Sequence, residues 1–152
     1  MFSKIAVLIV LTLGSATIHA GKPMQPSLPE VGALVIGEDF DTPTCIVDTA
    51  DGQSIFAAQY DLEPIMKLDG KLVKMRLADG ERSLWDYSKQ DEKISTRYVY
   101  EDMTLELQGN VSHSCEVSDN ENCEYTEMTF EAIFTNGSQS LKFEKLIGGC
   151  GV

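Results

Sequence analysis

The chain has 152 residues, 43% of them hydrophobic and 24% charged, with a formal net charge of −12. That length suits a single domain with its own core. A surface this acidic repels phosphate backbones and anionic lipid head groups, which argues against nucleic acid and leaves a basic protein, cations or a small ligand as partners.

In chain order, Met1 to Lys4 supplies a short positive region, Ile5 to Leu13 a compact apolar run, and Gly14 to Ala20 a small-residue exit. Residues 1–20 are expected to be a signal peptide, cleaved near Ala20, which would place the protein in the periplasm or outside the cell. Loss of Lys4 with that leader makes the exported chain one unit more negative. No later stretch approaches the roughly 18 apolar residues of a membrane span. Residues 21–32, with Pro23, Pro26 and Pro29, read as a flexible lead-in, and residues 33–152 as one β domain.

Ala33 to Ile36 reads as a first short strand closed by Gly37. Cys45 begins the next, and Asp51-Gly52 suggests a two-residue hairpin that sets Val47 against Phe56 and Cys45 against Ala58. The clearest architecture lies between Leu62 and Leu77. A turn at Asp69-Gly70 sets Leu68 opposite Lys71, Met66 opposite Val73 and Pro64 opposite Met75. One face then carries Leu62, Met66, Leu68, Val73, Met75 and Leu77, and the other Lys67, Leu72, Lys74 and Arg76. Asp79-Gly80 offers a third turn: a two-residue loop aligns Met75 with Leu84 but also Leu77 with Arg82, and a longer loop is the alternative.

Arg82 to Lys93 breaks the alternation and contains Trp85 and Tyr87; a short helix or an excursion loop fits. Ile94 to Tyr100 resumes a strand, the phase flips at Glu101-Asp102 as at a bulge or corner, and Gly109-Asn110 reads as a turn. Asn136-Gly137 is a further hairpin signal, whose register sets Phe130 opposite Phe143 and Ala132 opposite Leu141. Gly148-Gly149 loosens the backbone before Cys150. The expected fold is all-β: an antiparallel hairpin-built barrel or closed sandwich with little helix.

Four cysteines in an exported chain read as two disulfides, for which three pairings are open. Joining Cys115 to Cys123 across a polar loop leaves Cys45 to join Cys150. Loop-closure entropy then contributes about 2.5 kcal/mol for the short loop and about 5 for the long one. A zinc site from His113, Cys115 and Cys123 lacks a Cys-x-x-Cys pair.

Signals for catalysis are sparse. His113 is the sole histidine after the leader, no nucleophile elbow or phosphate-cradling glycine loop occurs, and the cluster from Glu116 to Glu124 lacks the ordered spacing of a calcium loop. No cofactor or metal is expected. The candidate interface residues are Trp85 and Tyr87, in the segment without strand rhythm, and the basic Lys67, Lys74 and Arg76.

In architecture this layout resembles small periplasmic antiparallel barrels such as bacterial inhibitors of c-type lysozyme. The shared features are an exported acidic chain, a disulfide joining early and late strands, and hairpin-built topology. Those inhibitors insert a Ser-Gly-x-x-Tyr loop into the lysozyme cleft, and that motif is absent here, so the resemblance assigns no site residue. The expected function is a non-enzymatic protein- or ligand-binding module. The alternatives are an inhibitor of a basic secreted enzyme or a small hydrolase using His113 or a carboxylate pair.

Overall fold

The structure is a computed structural model that describes residues 27–40, 45–59, 62–115 and 125–151. The described strands are β1 (Val31–Gly32), β2 (Cys45–Asp48), β3 (Ser54–Ala58), β4 (Ile65–Leu68), β5 (Lys71–Lys74), β6 (Arg76–Leu77), β7 (Lys93–Tyr100), β8 (Met103–His113), β9 (Tyr125–Asn136) and β10 (Gln139–Gly151). They form one curled antiparallel sheet in the order β1-β4-β3-β2-β10-β9-β8-β7-β6, with β5 also paired to β4. Among the described residues the helical content is one 3-10 turn, Leu84–Asp86.

The Asp69-Gly70 hairpin forms as the sequence predicts. Both residues take left-handed backbone angles, with φ of 49° and 74°, as a type I′ turn requires. Leu68 pairs with Lys71 and Met66 with Val73, and the Met75 N–H donates to the Pro64 carbonyl at 2.6 Å. Met66, Leu68, Val73 and Met75 are buried, whereas Leu62 ends on the surface.

At Met75 the segment 71–77 changes partner. Its first half pairs with β4, while Arg76 and Leu77 pair with Val99 and Tyr98 of β7. The hydrogen-bonded path from β4 through β10 to β7 therefore returns to β4 along one continuous piece of chain. Asp79-Gly80 consequently folds no hairpin back onto β6. Instead the Ala78 N–H donates to the Arg97 carbonyl, and residues 79–92 leave the sheet before β7 begins.

Cys45 pairs with Ala58 and Val47 with Phe56, as expected, with an irregularity before Asp48. Three expectations fail in the later half. Glu101-Asp102 is a two-residue hairpin connection, with Tyr100 opposite Met103, rather than a bulge. Gly109-Asn110 lies inside β8 rather than at a turn. A β-carbon at Gly109 would lie 1.9 Å from the Thr129 carbonyl oxygen, so glycine is present there to let β9 approach. The last hairpin turns at Gly137-Ser138, which pairs Ala132 with Phe143 and Phe134 with Leu141. A bulge at Glu144-Lys145 then brings Leu146 opposite Phe130. Lys145 sits there at φ 58°, as the extra residue of a bulge often does.

The inner face carries one continuous core that includes Val47, Phe56, Met66, Met75, Tyr98, Leu105, Leu107, Met128, Phe134 and Leu146. The Phe56 and Tyr98 rings meet across it at 4.9 Å. Cys45 lies directly opposite Cys150 and is bonded to it, tying β2 to β10 across a sequence separation of 105. No described cysteine is free. Cys123, and with it the expected Cys115–Cys123 bond, lies outside the described residues, as do residues 1–20 and the cluster 116–124.

Residues 34–36 are not a strand of the sheet. The segment from Leu34 to Phe40 straps the outer face, and Leu34 and Phe40 pack on Ala57 and Ile65 in a small second core. Asp39 pins the strap. Its carboxylate accepts from the Lys67 ammonium at 2.7 Å and from the Val35 N–H at 2.7 Å. These contacts hold the Asp39 carboxyl below the usual aspartate range, chiefly through the hydrogen bond from Lys67. No helix among the described residues is long and apolar enough to cross a membrane.

Candidate functional site

The excursion 79–92 covers one end of the sheet and builds the walls of a cleft. Ser83 and Asp86 form a capping box in which the Asp86 carboxylate accepts from the Ser83 N–H at 2.8 Å. The Leu84 N–H donates to the buried Tyr98 hydroxyl at 3.1 Å, and the Thr96 hydroxyl donates to the Arg82 carbonyl at 2.5 Å. Burial pushes the Tyr98 phenol up from its ordinary value, so it stays neutral and serves as an anchor. Arg82 lies 4.2 Å from the centre of the Tyr87 ring and pairs with Glu92 at 2.9 Å. The Arg82 guanidinium holds the Glu92 carboxyl below its ordinary range.

With its base fastened in this way, the turn presents Trp85, which is half-buried against the core. Trp85 lines a cleft of about 440 Å³ between the turn, the partner-switching point at Met75 and the end of β3. Leu62, Pro64, Leu77 and Trp85 give it apolar walls, and Gln59, Glu63, Arg76 and Ser83 give it polar groups. A second cleft of about 300 Å³ lies beside the strap, lined by Phe40, Ile65 and Lys74. Gln59, Leu62 and Glu63 line both.

The predicted interface residues therefore separate. Trp85 and Arg76 meet in the larger cleft, where Arg76 also bonds Asp79 at 3.0 Å. Lys74 lines the second cleft, and Lys67 is committed to Asp39 beneath the strap. Tyr87 is buried and its hydroxyl donates to the Ser95 carbonyl at 2.6 Å. It supports the turn from inside and presents no face to a partner. His113 ends β8 at an exposed position. No group of three or more His, Cys, Asp or Glu among the described residues converges on a metal-sized site.

A third depression was not legible as a site in the sequence. It measures about 290 Å³ on the outer face of β2, β10 and β9, and Ile46, Asp48, Tyr125, Glu127, Ile147 and Gly149 line it. Ile147 and Tyr125 are more than half exposed, at 57% and 55%. One carboxylate oxygen of Asp48 is buried without a hydrogen-bond partner. The one signal in the sequence was Gly148-Gly149, which reads equally well as a loosened strand end.

No family model, no curated protein and no solved structure matches this chain.

Proposed function

We propose that this protein is an exported, non-enzymatic binding domain that takes a small, partly apolar ligand in the cleft beside Trp85. The observation that carries this reading is the cleft itself. A concavity of about 440 Å³ combines apolar walls with a few polar groups and one aromatic residue at its rim, the composition of small-molecule sites. Its floor rests on the Tyr98–Leu84 and Thr96–Arg82 hydrogen bonds, so the site is largely preformed.

Export accords with the Cys45–Cys150 disulfide, since such bonds persist in oxidising compartments. On this reading residues 1–20 act as the leader and Cys115 bonds Cys123. The switch of segment 71–77 from β4 to β7 supports reading the sheet as a closed barrel with the cleft at one mouth.

The chain contains a single Trp, which makes the test direct. A panel of sugars, short fatty acids, amino acids and aromatic acids is titrated against Trp85 emission. A saturable change from at least one class, lost when Leu62→Phe, which keeps Trp85 the sole Trp, fills the cleft, is the expected result. Flat emission across the panel, or equal binding by the filled variant, would count against the cleft.

A further inference from the structure

The outer-face depression on β2, β10 and β9 has a regular construction. Gly149 stands between Glu127 of β9 and Ile46 of β2 in one cross-strand row. The row to one side holds Thr129, Ile147 and Asp48, and the row to the other holds Tyr125 and Gly151. Residues opposite one another in adjacent strands share a face. The outer surface therefore has a gap one side chain wide at Gly149, walled by Ile46, Ile147 and Tyr125 and bordered by two carboxylates.

Gly148 serves packing: a β-carbon there would lie 2.5 Å from the Ile46 carbonyl oxygen and 2.7 Å from the Phe130 ring. At Gly149 the nearest atom would be the Thr126 carbonyl oxygen at 3.1 Å, with the next neighbours at 3.9 Å and beyond, so the space above it is more open. Asp48 lines the depression, and one of its carboxylate oxygens is buried without a donor, so this carboxylate is under-satisfied within the fold.

We infer that this depression is a docking surface for a basic protein and that an arginine side chain of that partner fills the gap at Gly149. The methylene stem of arginine lies along Ile46 and Ile147, as long cationic side chains do on apolar surface. Its planar guanidinium stacks against Tyr125 and divides its donors between Asp48 and Glu127, a fit for a planar fork and not for a compact ammonium. The formal net charge of −12 steers a basic partner toward the surface. This site lies on a different face from the Trp85 cleft, and either can fail without the other.

The test is a nuclear magnetic resonance titration of the full-length protein with acetyl-Gly-Arg-Gly-amide, and with the same peptide carrying uncharged citrulline. The arginine peptide is expected to shift, saturably, amides confined to residues 46–48, 125–129 and 147–151, and the citrulline peptide to shift none. Asp48→Asn weakens binding about tenfold, as loss of a charged hydrogen-bond acceptor does. Tyr125→Ala, at an exposed position, weakens it by about threefold through lost stacking. Shifts spread without saturation over the acidic surface would overturn the proposal. So would equal binding by Asp48→Asn, or calcium shifting these amides while the arginine peptide leaves them in place.

Discussion

The sheet has two unlike halves. From β7 to β10 the strands run 8, 11, 12 and 13 residues. From β2 to β6 they run 4, 5, 4, 4 and 2. The long half has long ladders interrupted only near their ends, between Val111 and His113 and between Phe143 and Leu146, and a glycine placed for close approach. The short half changes partner in mid-strand, carries the strap and borders both clefts. A frame of long ladders holding a less regular, cleft-bearing side is a division that binding proteins use repeatedly.

The largest expected effects break the frame. Replacing Cys45 and Cys150 together by serine removes a bond that spans 105 residues. Loop-closure entropy puts the cost at about 4–5 kcal/mol, to be read from the denaturant midpoint. Next is Gly109→Val, which drives a side chain into the Thr129 carbonyl. Because β9 has nowhere to retreat, a loss of about 3 kcal/mol is expected in the same measurement.

Substitutions in the short half sharpen the contrast. Met75→Ala removes a fully buried side chain at the switching point. It should cost about 2–4 kcal/mol, with increased proteolysis confined to segment 59–92. Tyr98→Phe removes the acceptor for the Leu84 N–H, costs about 1 kcal/mol and shifts Trp85 emission, since the turn loses its anchor. The smallest effect concerns the strap. The depressed Asp39 pKa means its ionised form stabilises the fold at neutral pH. That contribution falls away as pH drops below the ordinary aspartate value of 3.8 and is gone below the lowered folded value. Strap amides should lose exchange protection over that acid range, and Lys67→Met should make their protection nearly independent of pH there.

Much of the fold was legible where the signal is local. Asp69-Gly70 needs positive φ at two successive residues and obtains it, so the register and inner face of that hairpin follow. The Cys45–Cys150 bond was legible because pairing Cys115 with Cys123 across a short polar loop leaves these two cysteines for each other. What was not legible depends on distant neighbours. Gly109 looks like a turn residue until Thr129 stands beside it. Segment 71–77 alternates without interruption, and nothing in its own residues announces that Met75 changes partner. Leu34 read as strand material, yet it is buried with Phe40 against Ala57 and Ile65 on an outer face. Trp85 was legible as a functional candidate because it breaks the strand rhythm. Tyr87, two residues on, carries the same signal and turns out to be buried. Asp48 and Glu127 gave no signal, because their meaning arises from Gly149 between them.

Native-state hydrogen exchange, residue by residue, tests the division into frame and cleft-bearing side most directly. The account predicts that core amides of β8, β9 and β10 exchange only through global unfolding. Amides of β4 to β6 and of the 83–86 turn should exchange through separate, lower-energy openings that a cleft ligand suppresses. Equal protection in both halves, or lower protection in β8 to β10 than in β4 to β6, would contradict it.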